Sequence, residues 1–461
     1  MPEFLAATRQ RRSLVLRGLA LAPLLAASPA QAAEEDGFRL TANTRLRYEA
    51  IGGQARAGFN AADELVNLRT IVRAEYDTHP LKFVVEVWDS RAWGANPGTP
   101  LSTGEVNALE PVQAYVAADF GAALGKGTRL ALQAGRFTLD LGGRRLVASD
   151  DYRNTTNGFT GLRADLTAPG GVKALAFYVL PQTRLPDDFT GMDHARIEWD
   201  KESFSQVLWA GLVSKRLNAS AAPRAITAEV SFVHYGERDA PGRPTRNRSL
   251  NTAGLRAIAD PRAGSWDWEL EGMYQWGETA TSLAAVAPLV PVSASFVHAR
   301  LGYTFKAPWQ PRFAAEFDRG SGDRPGGTYT RFDTLFGMRR ADFSPAGLYN
   351  AATRTNLVAA GARLELTPSK RVDGLLTYHA LWLASAADAF ASTGVRDPAG
   401  NSGTFGGHQI DARVRYWLVP KRLRFEANGV LLFKGGFLRD APNAIPERTT
   451  RYVSLNLSAF L

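Results

Sequence analysis

The sequence predicts an all-β protein: a transmembrane antiparallel β-barrel of 18 strands, with 16 strands as the alternative count. Apolar and polar residues alternate along strand-length segments, and short and long connections alternate between those segments. No run beyond the N-terminus reaches the roughly 18 consecutive apolar residues of a membrane-spanning helix, which excludes helical transporters and channels. The 461 residues include no cysteine, so a disulfide scaffold and a cysteine-ligated zinc or iron–sulfur site are excluded too.

The N-terminal segment 1–32 has the features of a secretory signal. Four arginines among its first 17 residues precede an apolar stretch at 19–27, and Ala30-Gln31-Ala32 matches the small-x-small cleavage pattern. We therefore expect one barrel domain over 33–461, located in the outer membrane of a Gram-negative bacterium. Export from the cytoplasm also argues against a nucleic acid as the partner of this basic chain.

The last eleven residues show the alternation most clearly. Val453, Leu455 and Leu457 fall on one face of an extended strand. Ser454 and Asn456 fall on the other face. A strand that is apolar on one side and polar on the other suits a wall with lipid outside and water inside.

The same alternation recurs at 40–49, 66–76, 266–276, 297–303, 409–416 and 423–428. Trp266 and Trp276 share a face ten residues apart, which is roughly 33 Å along a strand at about 3.3 Å per residue. A tilt near 40° reduces this to about 25 Å, the separation of the two aromatic girdles of an outer-membrane barrel. The opposite face carries Arg and Glu, which would each cost several kcal/mol in a dry core, so it must line water.

The connections fix the strand count. Short turns are expected near 78–80, 121–127, 168–171, 215–224, 260–265, 306–311, 367–370 and 419–421. Long polar segments are expected near 51–64, 92–108, 138–158, 181–203, 236–249, 277–291, 319–352, 385–407 and 434–448. Eight short and nine long connections give 18 strands, with every long loop extracellular if both termini are periplasmic. The segments 138–158 and 319–352 are long enough to fold into the bore.

Arginine is the residue type that points to function. The chain carries a net charge of +9, and 45 of its 54 basic residues are arginines, whose rigid guanidinium forks suit carboxylates. Strand alternation turns these toward the bore: Arg45, Arg47, Arg69, Arg73, Arg163, Arg300, Arg312, Arg363, Arg413, Arg415 and Arg424. The 138–158 segment adds Arg144, Arg145 and Arg153. Such a ladder could pass carboxylates along by bidentate hydrogen bonds.

A second interpretation of the same arginines stays open. They could pair with glutamates on neighbouring strands and simply brace a water-filled wall; the candidates are Glu49, Glu75, Glu269, Glu271, Glu316, Glu365 and Glu426. Arg136 is a special case, because alternation from Leu130 and Leu132 places it toward lipid. Either a bulge near Gly135 redirects its side chain, or Arg136 lies at the outer rim.

One region resembles a known family. The runs 135–147 (GRFTLDLGGRRLV), 151–155 (DYRNT) and 159–163 (FTGLR) are similar to segments of the alginate-export porins of Gram-negative bacteria. This resemblance implies a monomeric 18-stranded barrel with a narrow, basic pore that passes an anionic uronate polymer, and it adds Arg136 to the substrate path. The sequence departs from the family in one respect, since the C-terminal aromatic Phe460 is penultimate rather than last.

The sequence thus favours a passive channel for an anionic oligo- or polysaccharide, such as an alginate-like polyuronate, working in export. The alternative is an uptake porin, specific or general, for small sugars or organic acids. A barrel enzyme is disfavoured, because the six histidines are scattered singly and no nucleophile–base motif occurs. No cofactor, catalytic residue or metal site is predicted. The expected partners are the saccharide, the lipid bilayer and lipopolysaccharide, with periplasmic export or assembly proteins as further candidates.

Overall fold

The computed structural model describes residues 37–150, 152–218, 224–339, 342–343 and 345–461. Within these ranges the chain forms 18 antiparallel strands, each paired with the next in sequence. The last strand also pairs with the first, from Asn43 opposite Phe460 to Gly52 opposite Arg451, and this pairing closes the barrel. The predicted 18-stranded barrel is therefore confirmed. The predicted signal segment 1–32 lies outside the described residues.

The strands are β1 (Phe38–Gly52), β2 (Ala62–Asp77), β3 (Leu81–Trp93), β4 (Asn107–Asp119), β5 (Arg129–Phe137), β6 (Phe159–Ala168), β7 (Val172–Pro181), β8 (Gln206–Arg216), β9 (Ile226–Glu237), β10 (Ser249–Ala259), β11 (Ser265–Ala280), β12 (Leu289–Thr304), β13 (Arg312–Gly320), β14 (Leu357–Ser369), β15 (Val372–Trp382), β16 (Phe405–Val419), β17 (Leu423–Lys434) and β18 (Thr449–Phe460).

Helical structure is minor. The loop before β8 contains α1 (Phe189–Asp193), and the loop before β18 contains α2 (Gly436–Asp440). A single 3-10 turn at Pro169–Gly171 joins β6 to β7. Of the helices in the described ranges, none is long and apolar enough to cross a membrane.

Long and short connections alternate around the barrel, as predicted. The connections that follow odd-numbered strands are long, and the longest of them spans 321–356 between β13 and β14. Those that follow even-numbered strands have two to nine residues, such as 78–80 between β2 and β3, and overlap in length only with 53–61 and 281–288 of the other set. We call the two ends of the barrel the long-loop end and the short-turn end.

The two faces of the wall differ as the alternation predicts. In β18 the side chains of Val453, Leu455 and Leu457 are 40%, 42% and 39% exposed on the outside. Ser454 and Asn456 point inward and are 0% and 3% exposed. The inward side chains of an empty bore would be open to water, so something inside the barrel covers them.

Aromatic residues mark both ends of the outer face. Trp266 packs edge-on against Tyr303 at the short-turn end of β11, with ring centroids 5.2 Å apart. Trp276, near the other end of that strand, stacks on Tyr274 at 5.9 Å and meets Phe232 at 6.0 Å. The predicted outward position of both tryptophans is confirmed, and an apolar band lies between them.

We expect a charged side chain on the outer face to destabilise the barrel more, the closer it lies to the middle of the bilayer. Leu270 and Leu289 are each 54% exposed on the outside, but Leu270 lies well inside β11, whereas Leu289 begins β12 at the long-loop end. Leu270→Lys should lower the free energy of unfolding in lipid vesicles by about 2–4 kcal/mol, and Leu289→Lys by about 0–1 kcal/mol. Urea titration measures both variants, and equal losses would contradict the position of the apolar band.

Candidate functional site

Two long loops fill much of the bore from the long-loop end. The first inner loop is 138–158, between β5 and β6, and the second inner loop is 321–356, between β13 and β14. Val147 of the first loop and Phe336 of the second form a parallel β-bridge. The inward fold of these two segments, which their length allowed, is therefore present.

Main-chain hydrogen bonds join the two loops on both sides of this bridge. The amide of Phe336 donates to Leu146 O at 3.0 Å, and the amide of Met338 donates to Arg144 O at 3.1 Å. Between them, a Cβ atom at Gly337 would lie 2.0 Å from Arg145 O. Only glycine allows this close approach, so the two loops form one unit at this point.

Aromatic side chains pack the joined loops against the wall. Phe332 stacks on Phe296 of β12 at 5.5 Å between ring centroids. Phe336 meets Phe159 of β6 at 5.4 Å and Tyr235 of β9 at 5.6 Å, both edge-on. All except Phe336 are buried, so this part of the barrel interior is an apolar core rather than open water.

Three wall arginines donate hydrogen bonds to main-chain carbonyls of the first inner loop. Arg45 Nη2 and Arg69 Nη1, which lie directly opposite each other on β1 and β2, both donate to Arg153 O, at 2.7 and 3.0 Å. Arg47 Nη2 donates to Tyr152 O. The carbonyls offset the repulsion between the neighbouring guanidinium groups. Their role in this structure is to position the loop.

Asn154 fixes the same loop through its side-chain amide. Its Nδ2 lies within hydrogen-bonding distance of three main-chain carbonyls, at 3.1 Å from Leu68 O, 3.1 Å from Arg91 O and 2.9 Å from Glu105 O. Its own main-chain oxygen accepts from Ser90 Oγ at 2.6 Å. Asn154 is buried and connects the loop to β2, β3 and the start of the β4 segment.

Asp342 is the centre of a buried charge network. Its carboxylate accepts from Arg145 of the first inner loop at 2.8 Å, from Arg300 of β12 at 3.1 Å and from Arg354 of its own loop at 3.0 Å. Although burial opposes ionisation, Arg145 and Arg354 hold the pKa of Asp342 well below its usual range. Arg145 also donates to Glu269 at 2.6 Å, so the network ties both loops to β11 and β12.

The other wall arginines bind acidic or aromatic neighbours. Their contacts include Arg73–Glu75 at 3.0 Å, Arg163–Asp165 at 2.7 Å, Arg363–Glu316 at 2.8 Å, Arg413–Asp373 at 3.5 Å, Arg415–Asp373 at 2.8 Å, and Arg424 over the rings of Trp417 and Phe460 at 5.5 Å. In the first inner loop, Arg144 pairs with Asp140 at 3.0 Å. Of these pairs, Arg363–Glu316 joins neighbouring strands through a predicted glutamate; Arg73–Glu75 and Arg163–Asp165 lie within one strand, and Arg413 and Arg415 use an aspartate that was not predicted.

Arg136 lies next to the end of β5, at the long-loop rim. Gly135 has a φ of +124°, and a Cβ atom there would lie 2.4 Å from Ala114 O, so the strand is irregular at this point. Arg136 binds Glu110 at 2.8 Å and Glu202 of the loop before β8 at 2.7 Å. Its charge is thus compensated at the rim, which was the second of the two alternatives; the pairing of β5 with β4 and β6 runs through Gly135 and Arg136 without a shift in register, so the structure shows no bulge there.

One further cluster in the bore contains side chains that can ligate a metal ion. Among the described residues, His298, Asp318 and Asp342 bring potential ligand atoms within 4.8 Å of one another. His298 Nδ1 is 2.9 Å from Asp318 Oδ1. However, three guanidinium groups already occupy the Asp342 carboxylate and would repel a cation. This donor set therefore suits an ion-pair network better than a metal site.

Two arginines that sequence analysis missed line a cavity beside the first inner loop. The cavity has a volume of about 400 Å³, and its lining includes Arg153, Arg184 and Arg339. Arg184 lies in the loop after β7 and Arg339 in the second inner loop, where strand alternation predicts no side-chain direction. Only Arg153 belonged to the predicted set. The composition of the loops gave no signal that these three would meet.

Comparisons with known proteins agree with this architecture. A family model described as alginate export matches residues 38–451. No curated protein matches the chain. Among solved structures, Pseudomonas aeruginosa OpdO has a TM-score of 0.57 at 13% identity, over 92% of this chain and 97% of that one.

Two further structures from the same organism are similar. Pseudomonas aeruginosa OccK2 (OpdF), solved in complex with glucuronate, has a TM-score of 0.56 at 13% identity, over 92% of this chain and 96% of that one. The outer membrane protein opdK of Pseudomonas aeruginosa has a TM-score of 0.54 at 12% identity, over 92% of this chain and 99% of that one. At these identities the likeness shows the fold alone.

Asn154→Ala should loosen the first inner loop. The substitution leaves buried carbonyls without a donor, at a cost of about 1–3 kcal/mol. We expect faster hydrogen–deuterium exchange over 138–158 in detergent, with the barrel strands unchanged. Asn401→Ala, at an exposed position of another long loop, is the control. Unchanged exchange over 138–158 would show that the amide does not fix the loop.

Asp342→Asn should release the second inner loop from the wall. It removes the negative charge that the buried Arg145 and Arg354 share with the partly buried Arg300, and breaking a buried pair in this way costs about 3–5 kcal/mol. Exchange should rise in both 321–356 and 138–158, because the loops are joined. Asp397→Asn is the control, since among the described residues the Asp397 carboxylate accepts from Ser402 and from the amide of Ala399, both in its own loop. A rise confined to one loop would contradict the joint attachment.

Proposed function

The chain belongs to the alginate-export family and lies in the bacterial outer membrane, and from this premise we propose that it is a passive channel for an anionic saccharide, an alginate-like polyuronate, in export. The observation that carries the proposal is the concentration of guanidinium groups inside the barrel, both on the wall and on the inner loops. A polymer that bears one carboxylate per sugar presents such a surface with repeated, equivalent ligands.

Exposure differs among these arginines in a way that suits transport. Those that hold the inner loops, such as Arg47 and Arg145, are buried and committed to internal partners. Arg73 and Arg415 keep about a third of their side chains exposed, at 29% and 32%. Weak and repeated sites allow an ion to enter and leave, whereas one tight site would trap it. Partly exposed arginines paired with carboxylates are such weak sites.

Direction follows from where the polymer is made. A passive channel has no direction of its own, so export requires that a periplasmic supply of polyuronate exceeds the outside concentration. We expect the channel to work as a monomer, with lipopolysaccharide around its outer rim. The inner loops occupy the space that a chain would need, so passage of a polymer requires them to shift together.

Uptake of small organic acids or acidic sugars is the second candidate. It is favoured by the size of the cavity beside the first inner loop, which at about 400 Å³ falls in the range of small-molecule sites, roughly 300–1,000 Å³. OccK2, which has a similar fold, was solved in complex with glucuronate, but at 13% identity this likeness concerns the fold alone. Flux of monomeric uronate without block by the polymer would favour this candidate over export.

Single-channel recording in planar bilayers tests the proposal. Under a KCl gradient the reversal potential should show preference for chloride over potassium, and added polyuronate should reduce the current while a neutral dextran of equal length does not. A cation-preferring pore, or a current that polyuronate leaves unchanged, would refute the anionic substrate class.

Arg415→Gln should lower the anion preference. The substitution removes an inward guanidinium and leaves Asp373, its partner at 2.8 Å, with less compensation. Arg451→Gln is the matched control, because Arg451 is exposed on the outer face of β18. The reversal potential should move toward zero in Arg415→Gln and stay at the wild-type value in Arg451→Gln. A reversal potential that moves in Arg451→Gln and stays unchanged in Arg415→Gln would contradict an ion path through the bore.

A further inference from the structure

The short-turn end of the barrel carries positive charge that acidic residues do not balance. The eight short connections together contain eight basic residues and one acidic residue, Asp260. The nine long connections contain 19 basic and 18 acidic residues, so together they are nearly neutral. The excess positive charge of the connections is therefore concentrated at one end of the barrel.

Six of these eight basic residues lie on four neighbouring turns. The turns are 260–264, 305–311, 370–371 and 420–422, between β10 and β11, β12 and β13, β14 and β15, and β16 and β17. Main-chain hydrogen bonds connect the strand ends that carry the last three. The amide of Thr367 donates to Trp309 O at 2.7 Å, and the amide of Trp417 donates to Arg371 O at 2.9 Å. The four turns thus form a continuous rim.

The six residues on this rim make up what we call the basic rim cluster: Arg262, Lys306, Lys370, Arg371, Lys421 and Arg422. All six are exposed. Lys306 reaches across to the first turn, where a Cβ atom at Gly264 would lie 2.3 Å from Lys306 Cε. Because like charges on adjoining turns repel one another, an anion at the rim would be stabilised by several of them together.

No carboxylate neutralises the basic rim cluster. Within the described ranges, none of its six members has a carboxylate oxygen within 4.0 Å. The acidic residues at the adjacent strand ends are bound to arginines of the bore, Glu365 to Arg312 at 3.1 Å and Asp373 to Arg415 at 2.8 Å. The six charges are therefore available to a ligand from outside the chain.

The depth of the cluster in the membrane follows from its aromatic neighbours. Trp266 and Trp309 are 59% and 58% exposed, and Phe305 is 48% exposed. Tryptophan rings of this kind lie at the boundary between lipid and water. Turns of two or three residues, at no more than about 3.6 Å per residue, cannot carry Lys370 or Lys421 far beyond that boundary. The charges therefore lie among the lipid headgroups, on the periplasmic side, where outer-membrane barrels have their short turns.

We propose that the basic rim cluster binds the phosphate of an anionic glycerophospholipid in the periplasmic leaflet. Arg371 and Arg422 present planar forks that match two phosphate oxygens, and the lysines add compact charges beside them. Leu418, 44% exposed just before the 420–422 turn, offers an apolar surface to the acyl chains. A soluble acidic partner would need charges that project into the periplasm, which such short turns do not provide. The site is independent of what the pore conducts.

The chemistry predicts a preference among lipids with the same acyl chains. Phosphatidylglycerol has a net negative charge, whereas the ammonium group of phosphatidylethanolamine balances its phosphate. A basic residue near an anionic lipid surface contributes roughly a fivefold gain in binding, so loss of two should weaken the binding of phosphatidylglycerol about tenfold or more. The binding of phosphatidylethanolamine should change by less than about twofold, since it has no net charge to lose.

Native mass spectrometry of the full chain in detergent, titrated with the dioleoyl form of either lipid, tests the site. Wild type should bind phosphatidylglycerol about tenfold more tightly than phosphatidylethanolamine, and the double variant Lys370→Gln with Lys421→Gln should lose this preference. The matched control, Lys126→Gln with Lys173→Gln, should keep it. This control removes the same charge from exposed positions at the short-turn end, between β4 and β7. Gel mobility of unheated samples shows that each variant is folded.

Three results would overturn the proposal. The first is equal affinity of wild type for the two lipids. The second is an equal loss of affinity in the cluster variant and the control, which would reduce the effect to overall net charge. The third is a soluble oligouronate that displaces phosphatidylglycerol from wild type and does not bind the cluster variant. The rim would then be a capture surface for the polymer instead of a lipid site.

Discussion

The cost of burying a guanidinium group without a partner governs the interior of this barrel. A solvated arginine inside a water-filled pore needs no fixed contact, but here Arg47, Arg145 and Arg354 are almost completely buried. Each must then find acceptors, because an uncompensated buried charge would cost several kcal/mol. The main-chain carbonyls of the first inner loop and the carboxylate of Asp342 provide them. The inner loops and the wall are thus held together by the same interactions that make burial of these charges tolerable.

This requirement divides the arginines into two groups. Wall residues such as Arg45 and Arg69 direct their guanidinium groups at loop carbonyls and act as supports. Loop residues Arg153, Arg184 and Arg339 line a cavity together with Asp150 and Asp187. Sites for substrates are commonly built in this way, with functional groups on loops that a rigid frame positions.

The sequence was sufficient to predict the side-chain orientations in the barrel wall, but it was not sufficient to predict how the loops fold inside the bore. Strand alternation is imposed by two solvents, lipid outside and polar surroundings inside, so the orientation of residues such as Trp266 and Asn456 follows from parity alone. No such periodic constraint acts on the loops. The convergence of Arg184 and Arg339 depends on how 182–205 and 321–356 fold over the bore, which is a long-range outcome. For the same reason, strand alternation predicted Arg45 to lie on the substrate path. It could not show that Arg45 would donate a hydrogen bond to Arg153 O.

The β-bridge between Val147 and Phe336 has a mechanical consequence. Since the bridge and Gly337 make one body of the two inner loops, neither can leave the bore while the other stays. Displacement of this body would uncover Phe332 and separate Asp342 from Arg300 of the wall, whereas Arg145 and Arg354 would move with Asp342. If transport requires these loops to leave the bore, the joined loops would open it in one step instead of widening it gradually.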